Sequence, residues 1–456
     1  MQVKIFRSKF KLIISAAIVI SAIYLVFGYY KKERIYSPID CKGCNVVVIL
    51  VDTLRADRLP AYGHTVDTAP FLTSFMQKSV VFDKAFSSSP WTAPATATVF
   101  TSLLPSSHGV ITGFLATRRM IKDGLPIEMN RLPDDVETLG EMMKRAGYHT
   151  IGVADNFNIG VEMGFDRGFD DFRKLRHRGA AKMNEVAMEF LDQAKDNGPF
   201  FLYMHYMDPH APYNQRSPWY EECMVGKDPN VKKDYMLCAY DSEIRYMDDY
   251  IKELFTKYNL MDNSIIVFLS DHGEEFWEHG ARGHGKTLYT ELIHVPFTLY
   301  HPKWEGKRIP AHVHTMDLLP TLAAILELDA INPWQGENQY SNLINNSFPN
   351  NRLIYGERLR TSHSKVNWWK RSVIKENWHY ILKEEPGKIL SEELFNLDFD
   401  FGGFNNLAVQ ETEVKDKLDS LIAFLPDPQT LEQREKVHVD LNPDLIDQLR
   451  TLGYIE

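Results

Sequence analysis

Ile265-Ile266-Val267-Phe268-Leu269, five apolar residues in a row, runs directly into Ser270-Asp271-His272-Gly273. A short apolar run bounded by polar residues is the pattern of a strand buried on both faces. A carboxylate and an imidazole then stand together where that strand ends. Far upstream, Asn45-Val46-Val47-Val48-Ile49-Leu50-Val51 ends the same way, on Asp52. In an open α/β sheet the carboxyl ends of the parallel strands share one edge, and ligands bind there. Either aspartate alone could do no more than start a turn. Two such strands, one delivering Asp52 and the other Asp271 with His272, point to a metal site assembled by the fold.

From 45 to about 330 the chain alternates apolar strands with helical stretches, the pattern of a doubly wound, mostly parallel α/β sheet covered on both faces. Strands are expected at 45–51, 149–154, 199–206, 264–270 and 293–299. Helices are expected at 137–146, ended by Gly147, at 179–196, ended by Asn197-Gly198, and at 315–326 with Thr315 as cap. Beyond about 335 the character changes. Asn and Ser cluster at 341–351, and strand-like pieces at 352–356 and 372–382 follow. The expected organisation is a catalytic domain at 45–335 and a smaller α+β subdomain at 336–456, with an amphipathic helix near 442–453.

A chain of 456 residues has room for one large domain and an appendage. Its formal net charge of -10 and its lack of a long Lys/Arg block argue against nucleic acid as a partner. The N-terminus departs from soluble behaviour. Phe10 to Tyr30 is almost wholly apolar, as long as the roughly 20 residues that span a bilayer. Lys4, Arg7, Lys9 and Lys11 precede or open it, and Lys31, Lys32 and Arg34 follow. Phe27-Gly28-Tyr29-Tyr30 offers no small-residue cleavage site and resembles an interfacial aromatic belt. The expectation is an uncleaved signal anchor at 10–30, with 1–9 cytoplasmic, a polar linker at 31–44, and the catalytic domain outside the cytoplasm, periplasmic or extracellular. Cys41 and Cys44 form a C-x-x-C that fits a small disulfide or free thiols better than zinc, for which Cys223 and Cys238 stand at the wrong spacing.

Three further segments carry chemistry. In Ser89-Pro90-Trp91-Thr92-Ala93-Pro94, Pro94 suits the first turn of a helix, so Thr92 falls at or just before its cap, where anions are favoured. The plain alternative is a threonine N-cap. His205-Tyr206-Met207-Asp208-Pro209-His210 places two imidazoles at a strand exit, with Asp208 read as a turn former before Pro209. Glu274-Glu275-Phe276-Trp277-Glu278-His279-Gly280-Ala281-Arg282-Gly283-His284-Gly285-Lys286 is a Gly/His loop beside the Asp271-His272 pair.

Together these stretches resemble the sulfatase family of the alkaline phosphatase superfamily. The matching pieces are Val47–Asp57, Trp91–Gly109, His205–Tyr213, Ser270–Glu274, Gly283–Pro296 and Met316–Leu322, and the likeness covers about 45–330. The resemblance implies that Asp52, Asp271 and His272 are metal ligands. Thr92 stands where the family has its nucleophile, beside the metal. His205, His210, and His284 or Lys286 would hold the anionic oxygens or protonate the leaving group. Two departures matter. The family's usual Cys or Ser, followed by x-Pro-x-Arg and oxidised to formylglycine, is replaced by Thr92, with Thr96 at the Arg position. Threonine cannot become formylglycine. The acidic pair at the first strand is also reduced, Asp52 being followed by Thr53. An Asp, Thr, Asp, His set is similar instead to the membrane-anchored phosphoethanolamine and phosphoglycerol transferases.

The function expected is thus metal-dependent hydrolysis or transfer of a sulfate or phosphate ester through Thr92. The alternatives are a sulfuric ester hydrolase working without formylglycine and an inactive membrane-tethered module that binds anions or glycans. The partner would be an anionic ester, whether lipid head group, glycan or small molecule. Two carboxylates and an imidazole suit Zn²⁺ or Mn²⁺ better than Ca²⁺, which prefers six or more oxygens.

Overall fold

The computed structural model describes residues 36, 38, 39, 41, 43–113, 128–175, 177–194, 197–349, 351–360, 368–433 and 436–438. The expected anchor at 10–30 and the expected helix near 442–453 lie outside them. Among the described residues no helix is long and apolar enough to cross a membrane.

The strands in chain order are β1 (Asn45–Val51), β2 (Val80–Phe86), β3 (Glu128–Asn130), β4 (His149–Ala154), β5 (Asp171–Lys174), β6 (Phe200–Tyr206), β7 (Ser264–Ser270), β8 (Glu275–Phe276), β9 (Arg282–Gly283), β10 (Phe297–Tyr300), β11 (Lys307–His314), β12 (Leu353–Arg360), β13 (Trp368–Lys375), β14 (Trp378–Glu385), β15 (Lys388–Asn396) and β16 (Lys436–His438). Eight of them form the main sheet, in the order β11-β2-β10-β7-β1-β6-β4-β5. β1 lies between two parallel neighbours, with Val46 opposite Phe201 of β6 and Ile265 of β7. β10 alone runs antiparallel to both of its neighbours, so the sheet is mixed, as the expected mostly parallel arrangement allows.

The side-chain alternation of a strand divides β1 between two cores. Val46, Val48 and Leu50 pack with the helices Thr92–Thr101, Leu139–Arg145 and Leu318–Ile325 on one face. Val47, Ile49 and Val51 pack with Pro70–Gln77, Ala180–Ala194 and Lys232–Lys257 on the other. Every residue from Val46 to Val51 is fully buried, and each such side chain contributes about 1.5–3 kcal/mol by leaving water. Thr138 closes a capping box with Glu141 at the start of Leu139–Arg145.

Several expectations need correcting. Residues 290–293 form a short helix and the strand expected at 293–299 starts at Phe297, because Pro296 breaks the run. Thr315–Asp317 is a 3₁₀ turn capped by His314, with the helix beginning at Leu318. The stretch 372–382 is two strands of a hairpin, turning at Glu376-Asn377. β2, β5, β11 and the 26-residue helix Lys232–Lys257 were not expected.

β12–β15 form a four-stranded antiparallel sheet. One face packs on the helix Thr412–Ile422. The other sets Ile354, Ile374, Ile381 and Phe395 against Leu288, Leu292 and Ile293 of the main domain. This matches the expected α+β appendage. Glu357 N donates to Ser88 O and Ser106 N to Glu357 Oε2, at 2.7 Å each, which ties β12 to the loop before Thr92.

Candidate active site

Five segments bring polar side chains to the carboxyl edge of the main sheet: Asp52 after β1, Thr92 at the head of its helix, Asn156 after β4, His205 in β6, and Asp271-His272 after β7. Asp52, His205, Asp271 and His272 are fully buried, and Thr92 is 3% exposed. One ligand atom from each of Asp52, Asp271 and His272 lies within 4.8 Å of the others.

Thr92 is the first helical residue. The capping position is Trp91, whose side chain makes no cap hydrogen bond. Thr92 is therefore not the cap, and its Oγ1 lies 3.3 Å from Asp52 Oδ2 and 3.3 Å from His272 Nε2. Asn156 Nδ2 donates to Asp52 Oδ2 at 2.6 Å. His205 Nε2 is 3.5 Å from the same oxygen. Asp271 Oδ1 accepts from the amides of Thr53 (3.3 Å) and His272 (2.8 Å). His272 Nδ1 faces Gly273 O at 2.8 Å, leaving Nε2 for the site. Thr53 sits at φ 57°, a conformation that costs a β-branched residue free energy. It is held there by its amide on Asp271 and by Tyr240 OH donating to its carbonyl.

Asp52 Oδ1 and Asp271 Oδ2 have no hydrogen-bond partner among the described residues. Buried polar atoms are nearly always paired, so two orphaned carboxylate oxygens beside an imidazole fit a divalent cation. The protonation pattern agrees. Burial works against the charged form of Asp52, but the hydrogen bond to His205 and the charges of His210 and His272 outweigh it and hold the carboxyl far below its usual range. Burial, and then the charge on Asp52, raise Asp271 well above its own. Burial, helped by His284, pushes His272 down to about 3, leaving a neutral ring with a lone pair. Two carboxylates that cannot both be charged without help are poised for a cation in place of a proton.

The remaining histidines extend the cluster outward. The His284 ring centroid is 4.7 Å from that of His272 and 5.1 Å from that of His210. Burial lowers His210. Burial also opposes protonation of His284, but the charge and hydrogen bond of Glu274 (3.1 Å) raise the ring. Glu274 also accepts from Tyr213 OH at 2.9 Å. Lys286 lies apart from this cluster. Its exposed ammonium donates to Arg282 O at 3.3 Å and reaches His284 only through its charge. Asp208 lies in the turn closed by His210 N on Met207 O at 2.9 Å, and its carboxylate accepts from Ala180 N at 3.0 Å, at the start of the helix Ala180–Ala194. Asn156, Glu274 and Tyr213 were not singled out from the sequence. The signal for Asn156 was present, because Asp155-Asn156 ends an apolar strand on the same edge as Asp52.

The family profile described as Sulfatase matches residues 44–328. The chain is 20% identical over 457 residues to uncharacterized sulfatase YidJ of Escherichia coli K12, covering 84% of this chain and 87% of that one. Its fold is similar to that of a putative sulfatase, yidJ, from Bacteroides fragilis (TM-score 0.70, 20% identity, 88% of this chain and 99% of that one). It is also similar to a phosphonate monoester hydrolase of Agrobacterium radiobacter (TM-score 0.62, 17% identity, 88% and 98%).

Proposed function

The chain belongs to the sulfatase family, and from that premise we propose that it is a membrane-anchored, metal-dependent enzyme that cleaves phosphate esters through a covalent intermediate on Thr92. As a family member it is a hydrolase of sulfuric or phosphoric esters. The observation that carries the finer reading is the Thr92 hydroxyl, 3.3 Å from both Asp52 and His272 beside two orphaned carboxylate oxygens. A side chain that cannot be oxidised to formylglycine stands at the nucleophile position, as in the phosphoethanolamine and phosphoglycerol transferases.

Zn²⁺ or Mn²⁺ held by Asp52, Asp271 and His272 would supply Lewis acidity, favouring the alkoxide of Thr92 and neutralising the ester oxygens. The chain's own groups do the rest. Thr92 donates to Asp52 Oδ2, which orients the hydroxyl, and its proton passes to solvent as Oγ1 attacks phosphorus. The bond to the leaving alcohol breaks, and its oxygen keeps the electron pair. His284, whose hold on a proton Glu274 strengthens, delivers the proton. His205 and His210 line the route of the anionic oxygens, and the N-terminal end of the helix Thr92–Thr101 favours their negative charge. Water or a second alcohol then attacks the phosphothreonine and returns the hydroxyl to Thr92. Residues 10–30 tether the enzyme, with the catalytic domain outside the cytoplasm. The disulfides Cys41–Cys44 and Cys223–Cys238 support an oxidising compartment.

The test uses full-length protein in detergent, assayed on aryl phosphate, phosphodiester and aryl sulfate with Zn²⁺, Mn²⁺ or Ca²⁺ added after chelation. The expected result is metal-dependent turnover of a phosphate ester and, after acid quench, a phosphorylated Thr92 peptide by mass spectrometry. Turnover of sulfate esters alone, or near-normal turnover by Thr92→Ala, would overturn the reading.

A further inference from the structure

The stem that leads into the catalytic domain is packed against it. Tyr36 is 6% exposed, its OH donates to Glu305 O at 2.8 Å, and its ring centroid lies 5.0 Å from that of Trp304. Trp304 stacks in turn on Tyr340 at 6.0 Å, and Ile39 N donates to Tyr340 OH at 3.0 Å. The disulfide Cys41–Cys44 closes the next turn, with Cys44 N donating to Cys41 O at 3.2 Å. Asn45 N then donates to Asn263 O at 2.9 Å, where β1 begins.

These contacts lie at the amino edge of the parallel strands. Asn45 is paired with Ser264, the first residue of β7, and β10 ends at Tyr300, opposite Ile266 near the same edge. The loop that holds Trp304 and Glu305 joins Tyr300 to Lys307, which is paired with Val80 at the start of β2. Asp52 and His272 stand at the other edge. The seven residues of β1 separate the two edges by about 23 Å, at roughly 3.3 Å per residue.

The apolar run at 10–30 ends five residues before Tyr36. Fully extended, the chain from Tyr30 to Tyr36 reaches about 20 Å, so a bilayer around that run holds the amino edge close. The charge there suits such a neighbour. Lys303 and Lys307 flank Trp304, and Lys78 lies against Gly306; all three lysines are exposed, as is Glu305. Lys31, Lys32 and Arg34 join them in sequence. Basic clusters beside a membrane segment are drawn to anionic lipid head groups.

We infer that the amino edge around Trp304 lies on an anionic bilayer and that the site opens away from it. The ester it cleaves is then carried by a water-soluble molecule, not by a lipid head group of that membrane. The inference rests on the proposed tether at 10–30 and on the place of the site, and it holds whichever ester reacts. A lipid of the same bilayer would have to leave it and rise by roughly the length of β1 to meet Thr92.

The orientation can be read without turnover. Full-length protein is reconstituted in vesicles of phosphatidylcholine and phosphatidylglycerol, with a nitroxide on some of the choline head groups. A fluorophore is attached through Lys303→Cys, at the amino edge, or through Arg178→Cys, exposed beside the site. Arg178 N donates to Asp155 Oδ1 at 2.7 Å after β4, and the adjacent His177 ring lies 6.2 Å from that of His210. Quenching several-fold stronger at position 303 than at 178 is expected. Equal quenching, or stronger quenching at 178, overturns the inference. Should the Lys303 variant fail to fold, Lys307→Cys reports from the same edge. Release of head groups from the vesicle lipids by the wild type would likewise overturn it. A chain that does not float with the vesicles lacks the anchor, which overturns the orientation and the tether together. Absence of ester turnover, with the quenching difference intact, would instead remove the proposed reaction and leave the orientation standing.

Discussion

Asp52 and Asp317 are both fully buried aspartates at the ends of strand-derived segments, and their surroundings are opposites. Asp317 is saturated. It accepts from the amides of His314 (2.9 Å) and Glu337 (2.8 Å), from Gln339 Nε2 (2.8 Å), and from both terminal nitrogens of Arg352. Asp52 leaves Oδ1 without a partner, and Asp271 beside it leaves Oδ2. A carboxylate whose every acceptor is used is a structural tie. One that keeps a buried oxygen unpaired beside an imidazole fits a ligand. Glu357 is intermediate, with Oε2 on Ser106 N and Oε1 unpaired.

The comparison predicts opposite outcomes for matched substitutions. Asp271→Asn should cost at least about a thousand-fold in kcat/KM, roughly the scale of losing transition-state electrostatics. In chelated protein its melting temperature should be unchanged or higher, since the repulsion from Asp52 is gone; a drop of many degrees would make Asp271 another structural carboxylate. Arg352→Ala should do the reverse. An uncompensated Asp317 costs about 3–5 kcal/mol, read by chemical denaturation, while activity per folded molecule stays near normal.

A smaller effect concerns the ion. Zn²⁺ or Mn²⁺ at about one hundred times its dissociation constant should stabilise the chelated wild type by about 2.7 kcal/mol and leave Asp271→Asn unaffected. Stoichiometric calcium in the purified protein, with no transition metal, would refute the ion assignment. The smallest effect is at Glu357, which burial raises to about 7 despite its hydrogen bonds to Ser106. A carboxyl raised above its unfolded value favours the fold while protonated, and that contribution is lost as pH rises through about 7. Glu357→Gln should therefore match wild type near pH 5 and exceed it on the order of 1 kcal/mol near pH 8. Parallel stability curves across that range would show that Glu357 does not titrate there.

What the sequence made legible follows a physical division. β1, β6 and β7 are read because burial on both faces demands unbroken apolar runs. The candidate ligand set is legible because Asp52, Asp271 and His272 each follow such a run. β5 and β11 lie at the sheet's two ends, where half-exposed strands such as Asp171–Lys174 carry polar residues that hide them. The helix Lys232–Lys257 has the right period in Met236, Tyr240, Ile244, Met247, Ile251 and Leu254, but its many charged residues mask that stripe. The sequence leaves Thr92 open because a cap and a nucleophile want the same residue at nearly the same position, and the structure shows only that the cap is Trp91.

The place of β1 in the sheet also sets a clock. The hydrogen-bonding partners of this most apolar strand are β6 and β7, and β6 begins about 150 residues after β1 ends. At roughly 5–20 residues per second of synthesis, Val46–Val51 waits on the order of 10–30 s with both edges unpaired, a segment of high β-propensity and no charge. Chains interrupted before Tyr206 lack either partner for it and should collect in the insoluble fraction. The enzyme's yield in a cell is then governed by what shields these six residues during that interval, well before any site residue has met another.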